Sequence, residues 1–285
     1  MFQAEYPVLL VDDDPDVLAI SKLAMRNFTV FGSPVKLYTA TSKAEAIEVI
    51  TSQLSVPAQA GGRLMVAIID VVMETDTAGL ELCDYIRNEL NNKFCQLYVR
   101  TGQAGVAPER AVIDKYEING YFTKVEASED KLYTMVKTGA RMTTTFTVAQ
   151  AGLKMLAAMV EYSASPEMAF NVLHQAFTAW SSQSPFGIRI GDKHFAFHMD
   201  EAAFNEMVGR LNTLEGGGER PGRPMNGQGD KYIIEGSEVL VKVAESPTTA
   251  EAYWAHRLFG EPSETILELM YQGLRGFAAV MKRAA

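Results

Sequence analysis

Short runs that are apolar throughout alternate with stretches of helical spacing along the first part of the chain. PVLLV (7–11), VKLYTAT (35–41), LMVAIID (64–70), CQLYVRT (95–101) and GYFTK (120–124) predict strands. Between them, PDVLAISKLAMRNF (15–28), KAEAIEVITSQL (43–54), GLELCDYIRNEL (79–90) and PERAVIDKYEI (108–118) place apolar residues three and four apart, the period of a helix packed on one face. Pro15 suits the first turn of its helix and Ser42 an N-cap, and the small-residue stretch PAQAGGR before Leu64 reads as a loop. Strands with no polar face need cover on both sides. The pattern therefore predicts a doubly wound α/β unit with a five-stranded parallel sheet.

From Ser128 the pattern changes. Apolar or small residues fall at 132, 136, 139, 142, 146, 149, 153, 156 and 160, close to a heptad seam with one short step. This fits one long connecting helix over 128–163, with two helices broken near Thr143–Thr145 as the alternative. A second unit follows over 164–285. It comprises a helix (166–180), strands FGIRI (186–190) and HFAFHM (194–199), a helix (201–214), a glycine-rich loop (215–230), a hairpin of YIIEG and EVLVKVAE, and a closing helix (263–283). Helices around a few strands predict an α+β module. The chain shows no internal repeat.

Composition narrows the function. Of 285 residues, 47% are hydrophobic and 21% charged, the balance of a folded globular chain. The net charge of −9 is shared: residues 1–142 hold 14 basic against 19 acidic residues, and 143–285 hold 12 against 16. Neither half has the basic face of a nucleic-acid partner. No apolar run reaches the length of a membrane span, and the first residues lack the basic start of a secretory signal. With only Cys83 and Cys95, the expected location is a reducing cytoplasm.

Candidate chemistry collects where strands end. In a parallel α/β sheet functional groups gather at the carboxyl ends of the strands. Asp12 and Asp13 follow the first strand, Asp70 ends the third, Thr101 the fourth and Lys124 the fifth. Crowded carboxylates call for open solvent or a cation. Hard oxygen ligands of this kind suit Mg²⁺, which keeps waters and phosphate oxygens as its other ligands. A carboxylate can attack phosphorus when a metal and a lysine offset the incoming charge, with a hydroxyl to bind a phosphoryl oxygen. A calcium loop begun at Asp12 fails, since Val17 and Leu23 stand where glycine and glutamate are needed.

The segments LLVDDD, VAIIDVVMETDTAGLEL, YVRTG and GYFTK resemble the receiver domain of two-component response regulators, over residues 7–125. The resemblance implies a receiver over 1–127, with Asp70 as phosphoryl acceptor, Asp13 a direct Mg²⁺ ligand, Asp12 acting through water, and the Val72 carbonyl a further ligand. Thr101 would be the switch hydroxyl, Tyr121 the rotating aromatic and Lys124 the phosphate-pairing lysine, with Gly102 leaving the pocket open. It also implies a sensor histidine kinase or phosphotransfer protein as partner. Two departures stand out: Val125 replaces the usual cis proline after the lysine, and Met73–Glu74 the usual Met–Pro. The string KVEASEDKLYTMVKTGAR is similar to a subgroup whose receiver precedes a GAF-like domain, often with an HD-GYP phosphodiesterase. This implies that 164–285 is a GAF-like sensor or interaction domain.

The second half carries no comparable constellation. It contains no His-Asp dipeptide for an HD-GYP metal centre and no GK[ST] phosphate cradle. His194 and His198, on one face of a predicted strand, lack a third ligand, and His174 and His256 look unpartnered. Cys83, Cys95, Trp180 and Trp254 read as core, although a GAF-like fold is also able to hold a small ligand. Three functions follow. The first is a phosphorylation-controlled switch, not an enzyme beyond weak self-dephosphorylation, acting through its C-terminal domain or a homodimer of the linker helix. The others are a small-molecule sensor modulated by the receiver, and an adaptor that binds a kinase or another regulator.

Overall fold

The computed structural model describes residues 4–54, 64–102, 109–126, 128–162, 165–179, 184–213, 230–258, 260 and 264–285. The chain divides into two compact units, Glu5–Phe146 and a second built from Thr147–Ala285.

The Glu5–Phe146 unit is an α/β sandwich. Its strands are β1 (Tyr6–Val11), β2 (Thr29–Val30), β3 (Ser33–Ala40), β4 (Val66–Asp70), β5 (Gln96–Thr101) and β6 (Gly120–Thr123). They form one sheet in the order β2-β3-β1-β4-β5-β6. Five strands are parallel; the two-residue β2, which the sequence pattern does not predict, pairs antiparallel with β3 at the edge. Every residue of β1, β4 and β5 is buried, as strands covered on both faces must be.

The two-residue period of the strands sorts the core into two layers. Leu9, Val11, Ala67, Ile69, Leu97 and Val99 face the helices α2 (Lys43–Val49), α3 (Ala78–Asp84) and α4 (Glu109–Tyr116). Tyr6, Val8, Leu10, Val66, Ile68, Tyr98 and Phe122 face α1 (Pro15–Met25) and the start of α5 (Glu129–Tyr162). The local signals behave as expected. Asp14 caps α1 through the Asp16 amide, Pro15 sits in its first turn, and Ser42 caps α2 through the Glu45 amide. Both α2 and α3 end in a π-turn, over Ile50–Leu54 and Tyr85–Glu89. The long helix is unbroken over its 34 residues. Gly139 lies within it where the helix rests on the sheet, and a side chain there would press on Val66, Gln96 and Tyr98 at 3.1–3.3 Å. Thr143 is held by hydrogen bonds to the Met65 and Phe94 carbonyls, both 2.9 Å. Residues 129–146 are thus part of the first unit's core rather than a free connector.

The Thr147–Ala285 unit is built on an antiparallel sheet of β7 (Phe186–Ile190), β8 (Lys193–Phe197), β9 (Lys231–Glu235), β10 (Glu238–Val243) and β11 (Ala252–Arg257), ordered β8-β7-β11-β10-β9. Helix α7 (Glu201–Thr213) packs Phe204, Met207 and Leu211 on one face, against Tyr253 and Ala255. On the other, Phe177 of α6 (Pro166–Ala179) meets Trp254 edge-on at 5.5 Å, and Phe277 of α8 (Glu264–Ala284) at 6.3 Å. The expected hairpin is β9–β10. The central strand β11, AYWAHR, escapes the pattern because its small alanines and buried histidine give no apolar alternation. Trp180 and the glycine-rich loop, apart from Asp230, lie outside the described residues.

One contact ties the fold to the site. A Cβ on Gly79 at the start of α3 would lie 1.8 Å from the carbonyl oxygen of Asp70, and the Gly79 amide donates to the Val71 carbonyl at 3.1 Å. Gly79→Ala is therefore expected to lower stability by about 2 kcal/mol or more in urea unfolding, by forcing α3 off the end of β4. Gly152→Ala, where a Cβ meets nothing within 4 Å, is expected to be neutral or to stabilise α5 by up to about 1 kcal/mol.

Candidate functional site

The site forms where the strand order reverses. In the sheet, β1 has β3 on one side and β4 on the other, so loops leaving β1 and β4 turn apart and open a crevice at their carboxyl ends. Asp12 directly follows β1 and Asp70 ends β4, on the two lips of that crevice. Asp70 lies opposite Arg100 in the β4–β5 register, and Thr101 opposite Thr123 in the β5–β6 register, one residue before Lys124. The strand ends thus bring together residues separated by as much as 112 positions.

Carboxylate oxygens of Asp12, Asp13 and Asp70 lie within 4.8 Å of one another, the one such group among the described residues that could hold a metal ion. Asp12 and Asp70 are buried and Asp13 is exposed. Lys124 Nζ bridges the two buried acids, 2.6 Å from Asp70 Oδ2 and 3.0 Å from Asp12 Oδ1. Asp12 Oδ1 also accepts from the Asp14 amide at 3.0 Å. Its Oδ2 accepts from the guanidinium of Arg100 at 2.8 Å, a pair withdrawn from solvent on both sides. Asp70 Oδ1 is buried and has no hydrogen-bond partner. A buried carboxylate oxygen of that kind costs free energy unless a cation or donor meets it. The donor set is therefore that of a hard divalent ion, all oxygen and net acidic.

Burial pushes the Asp70 carboxyl up, Lys124 opposes that rise, and the Asp12 charge adds to it, leaving it above the ordinary carboxylate value. For Lys124 burial works the other way, but its bonds to Asp70 and Asp12 outweigh burial and hold its ammonium above the ordinary value.

Of the other residues singled out in the sequence, Thr101 is fully buried at the end of β5. Tyr121 is half-buried against the α2/α3/α4 layer. Val72, also half-buried, lies two residues past Asp70. A Cβ on Gly102 would touch only the Lys124 side chain, at 3.7 Å. Lys124 opens a 3₁₀ turn, Lys124–Glu126, in which Val125 is 96% exposed, and the described residues contain no cis peptide bond.

The histidine pair is a correction. Strand β8 ends at Phe197, and His198 has a positive φ of 52°, so His194 and His198 do not share a strand face. His194 instead lies 3.8 Å from Glu201. His174 stacks on Phe195 and Phe197. His256 is neutral, pushed down to about 3 by burial, and shares a 2.7 Å hydrogen bond with Ser184. Burial pushes both Cys83 and Cys95 up to about 12, which leaves them unreactive. Sequence reasoning missed Arg100 and Gly79. An arginine inside an otherwise apolar strand run, YVRT, and a glycine at the start of a helix were the available signals.

No family model matches the chain. It is 42% identical over 134 residues to the 3'3'-cGAMP-specific phosphodiesterase 2 of Vibrio cholerae, a match that covers 47% of this chain and 24% of that protein's length. Among solved structures, it is similar to the receiver domain of the Francisella response regulator 1452, at 20% identity, covering 48% of this chain and 98% of that one, TM-score 0.38. It is also similar to the signal receiver domain of an HD domain-containing protein from Pseudomonas fluorescens, at 16% identity, covering 49% and 98%, TM-score 0.41. These neighbours are response-regulator receiver domains that cover about half of the chain. No described helix is long and apolar enough to cross a membrane.

Because Asp70 ionises against its surroundings, its raised pKa gives stability that is present at low pH and lost as pH rises through its folded value. Asp70→Asn, measured in EDTA, is therefore expected to raise the melting temperature at pH 7 by about 2–5 °C. The gain should shrink as pH falls through that value, read by thermal melts across pH.

Proposed function

We propose that this chain is a two-component response regulator whose phosphoryl acceptor is Asp70. The observation that carries the reading is the state of that side chain. Asp70 is buried at the crevice, with one oxygen held by Lys124 at 2.6 Å and the other, Oδ1, unpartnered. In the proposed reaction a carboxylate oxygen of Asp70 attacks the phosphorus of a phosphohistidine or a small acyl phosphate. The new O–P bond forms as the donor's P–N or P–O bond breaks, and the leaving group departs with the bonding electron pair. Lys124 moves from pairing two carboxylates to pairing a phosphoryl oxygen, and Thr101 donates its hydroxyl to another. Asp13 and Asp70, with the Val72 carbonyl and with Asp12 acting through water, would hold Mg²⁺, which would offset the negative charge of the arriving phosphoryl group.

The switch is expected to run from Thr101 to Tyr121, and from there to the surface of β6 and the start of α5. Its partners would be a histidine kinase or phosphotransfer protein, with the output an altered protein contact. The unit of residues 147–285 is proposed as an interaction module, GAF-like in its antiparallel sheet flanked by helices. Dimerisation through α5 remains part of this proposal. A sensor for a small ligand has less support, since Phe177, Phe186, Trp254 and Phe277 pack ring on ring in the described interior. The Vibrio relative's phosphodiesterase activity is not carried over, because the match covers 24% of that protein.

Incubation with acetyl phosphate, followed by a phosphate-affinity gel, tests the reading. A shifted band is expected for the wild type only with Mg²⁺, none for Asp70→Asn, and at least about tenfold slower labelling for Lys124→Ala. Labelling retained by Asp70→Asn would refute the assignment.

A further inference from the structure

Arg100 is 2% exposed, and the period of β5 turns it, like Tyr98, toward the face covered by α1 and α5. A guanidinium in that apolar layer is tolerated only with a partner. Its partners are Asp12 Oδ2, which accepts from Nη2 at 2.8 Å, and Ser21 Oγ on α1, which accepts from Nη1 at 3.2 Å. Asp12 is itself fully buried, and its other oxygen already accepts from the Asp14 amide and Lys124. Every oxygen of Asp12 is therefore engaged by the protein. The open carboxylate oxygens of the acidic group are those of exposed Asp13 and the unpartnered Oδ1 of Asp70. The charge count agrees. Three carboxylates face two fixed cations, Arg100 and Lys124, so the pocket's net charge is −1 where Lys124 alone would leave −2.

We propose that Arg100 is a built-in counter-cation of this pocket: a positioning residue that locks Asp12 and sets a weak affinity for a divalent ion. Two consequences follow from Coulomb's law. An arriving dication is drawn by one net charge rather than two, because the fixed guanidinium has already offset one carboxylate. A phosphoryl group adds negative charge at the same place, so the ion and the phosphoryl group favour each other's binding, and by linkage each does so to the same extent. The resting pocket then holds little cation and the phosphorylated pocket holds it firmly. The inference rests on the reading of Asp12, Asp13 and Asp70 as the cation site.

The test is Mn²⁺ binding to the full chain, followed by the loss of the free-ion electron paramagnetic resonance signal. Arg100→Gln is expected to bind Mn²⁺ about tenfold or more tighter than the wild type, and Arg100→Lys, which keeps the charge, within about threefold of it. Tightening is an effect that a purely structural role for Arg100 would not produce. Ser21→Ala removes the other partner of Arg100 and changes no charge in the pocket, and it is expected to bind Mn²⁺ within about threefold of the wild type. Should Arg100→Gln not fold, Arg100→Met is the second neutral variant, with the same tightening expected. Equal or weaker binding by the folded neutral variant, or a tenfold change in Ser21→Ala, would overturn this inference while leaving the cation site intact. No Mn²⁺ binding in any of these proteins, or binding unaffected by Asp13→Asn, would overturn the cation-site reading and this inference with it.

Discussion

Lys124 Nζ sits between two buried carboxylates, 3.0 Å from Asp12 and 2.6 Å from Asp70, and the rest of the site depends on that bridge. Two buried acids this close repel one another and are each poorly hydrated. A cation must therefore come from the protein or from solution. The fold supplies one from a distant point of the chain, because a parallel sheet aligns the carboxyl ends of all its strands at one edge. The reversal of strand order between β1 and β4 then opens a crevice beside Asp70.

That arrangement is held by packing outside the pocket. Gly79 lets α3 lie directly on the carbonyl of Asp70, and Gly139 lets α5 lie directly on β4 and β5. Asp70 and Arg100 extend the alternating rows that carry Ile68 and Tyr98 into the α1/α5 layer, and Asp12 and Lys124 directly follow β1 and β6, which carry Leu10 and Phe122 into it. Each charged group sits at the end of a row of core residues. The charges are positioned by the hydrophobic layer behind them, and their repulsion costs stability that the layer offsets. Burial raises the Asp70 carboxyl, the Asp12 charge adds to that rise, and its Oδ1 lies buried without a partner.

Much of this was legible in the sequence. The parallel strands read clearly because each is apolar throughout, and the strand-end residues Asp12, Asp70, Thr101 and Lys124 follow from where those runs stop. Capping at Ser42 and the first-turn Pro15 were legible because they are local signals. What could not be read is non-local. The partner of Arg100 is 88 residues away, so an arginine in a strand gives no hint that it neutralises Asp12. The two-residue β2 is too short to carry a period, and β11 is central yet built from AYWAHR, whose burial comes from helices on both faces. His194 and His198 looked like one face of a strand only because the end of β8 at Phe197 is set by the backbone turn at His198.

On the proposed reading, Asp70 forms an acyl phosphate. Borohydride reduction of the protein after treatment with acetyl phosphate converts a phosphorylated aspartate to homoserine, which peptide mass spectrometry locates by residue. Homoserine is expected at position 70, dependent on Mg²⁺ during the treatment. Homoserine at another aspartate, or none at position 70 in protein that carries the phosphoryl label, would contradict it.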